Sequence, residues 1–300
     1  MKRRDAVKTT ILGLGTLSIA TTCETAADSS ATSKQENTSN TTITTAMKGN
    51  IKHSVCRWCY QDIPLEQLCE GAQEIGIASI ELTTPEEWGI LKSHQLTSAL
   101  GTRKGASLTE GFNNPKFHER LYQPYIDLID AAADQGIETV IVFSGNRNGI
   151  SAEAGIENCA IGLDKIIKHA EKRDIMVVME LLNSKVNHPD YQCDTTPWGA
   201  ALVDKIGSTN FKLLYDIYHM QIMEGDIIAT INQYKDYIGH YHTGGVPGRN
   251  EINQNQELNY PAIMRAIVQT GYQGFVAQEF IPTYEDQLAA LKEGVMICDV

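Results

Sequence analysis

IMVVME (175–180), FKLLYD (211–216), DYIGHYH (236–242) and GFVAQE (274–279) follow one another in the second half of this 300-residue chain. Each is a short apolar run that closes on a group able to bind a metal: Glu180, Asp216, His242 and Glu279. Runs of this length, rich in Val, Ile, Leu, Phe, Tyr and Met, read as strands buried on both faces. Helix-like stretches separate them, so the four end groups fall at the carboxyl ends of neighbouring parallel strands, where α/β barrels carry their chemistry. Three carboxylates and one imidazole make a hard, mostly oxygen donor set. It suits one divalent ion, Mn²⁺, Mg²⁺ or Co²⁺, with Zn²⁺ also admissible. Without a cation, three acids at one rim would repel one another.

The same alternation extends upstream. Residues 51–58 read as a first strand, 64–77 as a helix begun by Pro64 and stopped by Gly76, and 78–82 (ASIEL) as a second strand with Glu81 near its end. A short, polar third run lies at 95–100. Leu121, Tyr125, Leu128 and Ala132 share one face of a helix over 115–135 that Gly136 ends, ETVIVFS (138–144) is a fourth strand, and 152–173 is helical. Helices at 198–206, 226–234 and 261–270 separate the last strands, and 284–296 closes the chain. Eight strands alternating with helices predict an α/β fold, a single-domain (β/α)8 TIM barrel over 51–300. No GxGxxG turn follows the first strand, which argues against an open dinucleotide-binding sheet.

Residues 1–22 differ in kind. Lys2, Arg3, Arg4 and Lys8 precede the apolar stretch TILGLGTLSIA, which is too short to span a bilayer, so the segment reads as an export signal of twin-arginine-like type, an ordinary Sec signal being the competitor. Residues 23–50 are a Ser/Thr-rich spacer without the apolar groups needed to fold. Cys23 stands where a bacterial lipoprotein would be acylated, although Ala20-Thr21-Thr22 departs from the small-residue box of that process. The expectation is a protein exported to a bacterial periplasm, or tethered to the envelope, whose only membrane link is a lipid on Cys23; a homo-oligomer stays open. Loss of the leader moves the formal charge from −12 to −15, which speaks against a nucleic-acid partner. Of seven cysteines, Cys56 and Cys59 form a lone CxxC that reads as buried core thiols, since no second CxxC and no βαβ redox pattern accompanies it.

Other polar groups fall near the same rim. His219 lies three residues beyond Asp216 and is placed to hydrogen-bond a substrate oxygen. Arg249, in the loop after the seventh strand, is a fork-shaped donor suited to a carboxylate or polyol, with a surface ion pair to Glu251 or Glu257 as the competing reading. His240 shares the face of His242 one layer deeper and reads as a core histidine. His188 and Trp198 are further candidates to line the pocket.

MELLNS (179–184), LLYDIYHMQ (213–221), GHYHTGGVPGRNE (239–251) with QELNYPAI (256–263), and AQEF (277–280) together resemble hydroxypyruvate isomerase and its relatives among the xylose isomerase-like barrels, which include ketose 3-epimerases. SLTEGFNNPKFHER (107–120) resembles a loop-and-helix segment of the hydroxypyruvate isomerase group. The resemblance runs over 51–300 in element order. It implies a divalent metal held by Glu180, Asp216, His242 and Glu279, with Glu180 and Glu279 also serving as the catalytic acid/base pair. It implies His219 and Arg249 as substrate-binding groups. The expected reaction is isomerisation or epimerisation of a small hydroxy-keto acid or ketose through a metal-stabilised enediolate. His242 departs from the Gln typical of hydroxypyruvate isomerases proper and matches the epimerases, so the substrate stays open. The leader is a second departure, because most characterised relatives are cytoplasmic. The alternative from another class is a non-catalytic exported sugar-binding protein on the same barrel. A nuclease of the endonuclease IV type needs a histidine cluster and a basic groove, and neither is evident.

Overall fold

The computed structural model describes residues 47–300. Seven parallel strands form one sheet: β1 (Lys52–Cys56), β2 (Ser79–Glu81), β3 (Thr139–Val142), β4 (Met176–Glu180), β5 (Phe211–Asp216), β6 (Ile238–Thr243) and β7 (Phe275–Gln278). Their order is β2-β1-β7-β6-β5-β4-β3. The helices are α1 (Leu65–Ile75), α2 (Pro85–Ser93), α3 (His118–Gln135), α4 (Ala152–Arg173), α5 (Thr196–Ile206), α6 (Ile217–Met223), α7 (Ile227–Tyr234), α8 (Tyr260–Gln269) and α9 (Gln287–Cys298).

The expected third strand is corrected. Residues 97–101 form no regular strand, yet they fill the place between the two edge strands. Ile80 N donates to Thr97 O (3.1 Å), Leu82 N to Leu100 O (2.8 Å), and Ile141 N to Gly101 O (3.1 Å). The polar side chains that made this run weak in sequence explain its irregularity. Ala99 N donates to Ser79 Oγ (2.7 Å), Thr83 Oγ1 to Ser98 Oγ (2.8 Å) and Ser98 Oγ to Leu100 O (3.1 Å), so hydroxyls replace ladder partners. The wall is therefore a barrel of seven strands and one irregular stave.

Both faces of the sheet are covered. Val177, Val178 and Met179 of β4 are fully buried, as are Leu213, Leu214 and Tyr215 of β5. Each large apolar side chain removed from water contributes roughly 1.5–3 kcal/mol. Helix boundaries follow local chemistry: Ser151 Oγ accepts Ala154 N at the start of α4, and Gly76 ends α1 at φ +95°. Two helices were not anticipated: α2, opened by a Thr84–Glu87 capping box, and α6, opened by Asp216.

The export signal, Cys23 and the spacer up to residue 46 lie outside the described residues. Residues 47–50, the end of the expected spacer, bind the chain's other terminus: Lys48 N donates to Asp299 Oδ2 (2.8 Å) and Asn50 Nδ2 to Val300 O (2.7 Å). The six described cysteines are all buried and unbridged, as the core-thiol reading holds.

Candidate active site

Glu180, Asp216 and His242 stand at or near the ends of β4, β5 and β6, and Glu279 follows β7 directly. One ligand-type atom from each of the four lies within 4.8 Å of the others, and all four residues are buried. The structure thus brings together the whole expected set. Asp216 also caps α6, its Oδ1 accepting His219 N at 3.1 Å, which turns the chain so that His219 faces the same centre.

His242 tests the fit of a cation. Its Nδ1 comes to 2.6 Å from Glu279 Oε2 and 3.5 Å from Glu180 Oε1, without alignment for a hydrogen bond to either. A buried nitrogen aimed among three carboxylates, with no aligned hydrogen-bond partner among the described residues, is the donor a divalent ion would use. With the carboxylate oxygens around it, the donor set fits such an ion.

Arg249 is not a surface residue. Its Nη2 donates to Asp216 Oδ2 (2.7 Å) and to Glu279 Oε2, its Nε to Glu279 O (3.0 Å), and Nη1 lies 2.6 Å from His219 Nε2. Glu251, one of the two acids of the competing surface-pair reading, instead accepts Tyr284 N at 2.9 Å. Arg249 is held at φ +58°, a costly conformation for a residue with a Cβ, in a loop tightened by Gly245. A Cβ on Gly245 would come within 2.6 Å of Glu251 O and 2.7 Å of Asn250 O.

The two glutamates titrate apart. Burial, with the Glu279 charge beside it, pushes the Glu180 carboxyl up to about 7. Burial acts on Glu279 in the same sense, but Arg249 and His242 outweigh it and hold that carboxyl well below the usual range. Burial lowers the pKa of His219 and keeps its ring neutral. A neutral imidazole accepts one hydrogen bond, yet both ring nitrogens face donors: Asn183 Nδ2 stands 2.6 Å from Nδ1, opposite Arg249.

These groups line a cavity of about 450 Å³. Glu180, His188, His219, Arg249 and Glu279 form its polar side, and Trp58, Leu82, Leu108, Phe143, Leu182 and Ile281 its apolar side. His188 is therefore in the pocket, its ring 5.2 Å from that of His219. Trp198 is not: it sits on α5 with its indole donating to Ala152 O (3.0 Å). His240 is buried, as expected of a core histidine.

Sequence reasoning missed Trp58, Asn183 and Glu81 as site residues. Trp58 Nε1 donates to Glu279 Oε1 at 2.6 Å. Glu81 Oε1 lies 2.8 Å from Nε2 of both His240 and His242. The signal for Glu81 was present, since ASIEL carries an acid near its end, as three of the other four runs close on one.

A family model described as xylose isomerase-like TIM barrel matches residues 69–296. A putative hydroxypyruvate isomerase from Homo sapiens is 29% identical, over 75% of this chain and 77% of its own. A hydroxypyruvate isomerase from Escherichia coli is 36% identical over 37% and 42%. Among solved structures, an AP endonuclease, family 2, from Brucella melitensis superposes with a TM-score of 0.71 at 22% identity, covering 82% of this chain and 97% of its own. A D-psicose 3-epimerase from Clostridium cellulolyticum H10, solved with D-tagatose, gives 0.67 at 19%, covering 83% and 100%. The structural likenesses concern the fold.

Proposed function

This chain belongs to the xylose isomerase-like TIM-barrel family, and from that premise we propose that it is a divalent-metal-dependent isomerase or epimerase of a small hydroxy-keto acid or ketose. The observation that carries the reading is the convergence of Glu180, Asp216, His242 and Glu279 on one buried centre beside a cavity of sugar-like size. Glu180, Asp216, His242 and Glu279 would hold the ion. A divalent cation supplies charge neutralisation at the substrate's carbonyl oxygen, which lowers the barrier to an enediolate.

The chain's own residues divide the remaining work. Glu279, kept ionised by Arg249 and His242, takes the proton from the carbon next to the carbonyl. Glu180, which holds a proton more readily, returns one to the opposite face or to the neighbouring carbon; the roles exchange in the reverse direction. His219 and Arg249 face each other with donors in excess, so a substrate oxygen reaching the pair from the cavity would take the surplus hydrogen. The apolar wall of Leu82, Leu108, Phe143 and Leu182 excludes water from the reacting carbon.

The test is incubation of the protein with Mn²⁺ and a panel of ketoses and hydroxy-keto acids in heavy water. Deuterium should appear at carbon in at least one substrate, and Glu180→Gln and Glu279→Gln should each slow it by about 10³-fold or more. Metal-dependent binding with no exchange in any substrate would leave a binding barrel without turnover.

A further inference from the structure

We propose that Glu81 is the residue that orients His242 for cation binding, with His240 holding Glu81 in place from the other side. The inference rests on the preceding reading that Glu180, Asp216, His242 and Glu279 hold a divalent ion. Glu81 ends β2, which neighbours β1 and not β6, so its side chain reaches across the barrel interior to meet residues 159 and 161 positions away. It is fully buried and, among the described residues, meets no Lys or Arg. Its Oε1 takes both imidazole contacts at 2.8 Å and its Oε2 has no hydrogen-bond partner among the described residues. A lone carboxylate so deep in a barrel is costly unless the groups around it use its charge.

The tautomer follows from donor counting. An ionised carboxylate only accepts, so Nε2 of His240 and Nε2 of His242 both carry hydrogen. In the neutral ring that ligation of a cation requires, that leaves the lone pair of His242 on Nδ1, the atom that faces Glu180 and Glu279. The His240 and His242 rings stand 5.3 Å apart at 83°, so the two contacts reach Glu81 from different directions and fix it. A carboxylate behind a ligating imidazole fixes the ring and raises its basicity, and losing it typically weakens metal affinity 10–100-fold.

The experiment compares metal-stripped full-length wild type with Glu81→Gln, Glu81→Met and His242→Asn by Mn²⁺ titration and by thermal melting without metal. It adds ¹⁵N-histidine spectra of the Zn²⁺-loaded protein. Wild type should bind one Mn²⁺ per chain. Both Glu81 variants should weaken binding about 10–100-fold, and the hydrogen-bonded Nε2 proton of His242 should vanish from the Glu81→Met spectrum. If Glu81→Met does not fold, near-isosteric Glu81→Gln carries the test alone. Unchanged Mn²⁺ affinity in the folded Glu81 variants, with binding lost in His242→Asn, overturns the proposal and makes Glu81 merely structural. A second Mn²⁺ in wild type that Glu81→Gln removes also overturns it, making Glu81 a ligand. If His242→Asn binds Mn²⁺ like wild type, the metal-site reading itself fails.

Discussion

Trp58 donates its indole hydrogen to Glu279 Oε1 at 2.6 Å, tying the exit of β1 to the carboxylate beyond β7. The same indole lies 5.6 Å from the Arg249 guanidinium, so it lines the cavity and steadies two charged groups at once. Trp58→Phe keeps the ring and removes the donor. A hydrogen bond to a charged group contributes about 1.5–3 kcal/mol, so kcat/KM should fall roughly 10–100-fold. Because Trp58 helps hold the Glu279 carboxyl low, the acid limb of the pH–rate profile should move to higher pH.

Arg249 is the sole guanidinium or ammonium contacting Asp216 and Glu279 among the described residues. Arg249→Met leaves both carboxylates buried without it. The metal-free protein should lose roughly 3–5 kcal/mol by urea denaturation, and Mn²⁺ should restore part of that by binding the folded state. Arg249→Lys returns the charge without the fork and should fall between the two.

Gly245→Ala is expected to harm activity more than stability. Its Cβ meets two backbone oxygens, of Glu251 and Asn250, and neither can rotate away. The loop must shift, carrying Arg249 with it. A displacement of about 1 Å at a positioning residue can cost about 10²-fold in rate, whereas the overpacking costs roughly 1–3 kcal/mol. Steady-state kinetics and urea denaturation on one preparation separate the two effects.

His53, buried at the base of β1, gives a pH prediction away from the active site. Burial holds its pKa down at about 4, against the opposing pull of Asp299. In the unfolded chain it titrates near 6.5. Between these values the unfolded chain carries the proton and the folded one does not, so stability is full above about pH 6.5 and is lost as pH falls toward about 4. His53→Gln should flatten the stability–pH curve in that window, by on the order of 3 kcal/mol at its lower end. Urea denaturation at several pH values checks it.

Much of this was legible in sequence because a buried parallel strand announces itself as an apolar run and its end as the first polar group. Glu180, Asp216, His242 and Glu279 were readable for that reason. Glu81 ended an equivalent run, but its partners lie across the barrel and no local pattern names them. Arg249 was readable as a pocket residue, but its ion pairs were not: the loop folds it inward to Asp216 and Glu279, 33 and 30 residues away, in place of the competing surface pair with Glu251 or Glu257. Trp198 failed differently, since α5 begins at Thr196 and turns its indole to a backbone carbonyl of the preceding helix. The stave at 97–101 was weak in sequence because its hydroxyl groups compete with the ladder.

That stave gives the barrel a clasp. A ring closed at one place by serine and threonine side chains has a preferred point of breathing, and amide hydrogens of Ile80, Leu82 and Ile141 should exchange before those of β4 to β6. Glu81 sits on the strand beside that clasp. Substitutions at Ser79, Ser98 or Thr83, none of which touches the candidate metal centre, thereby become a means of adjusting how firmly Glu81 is held.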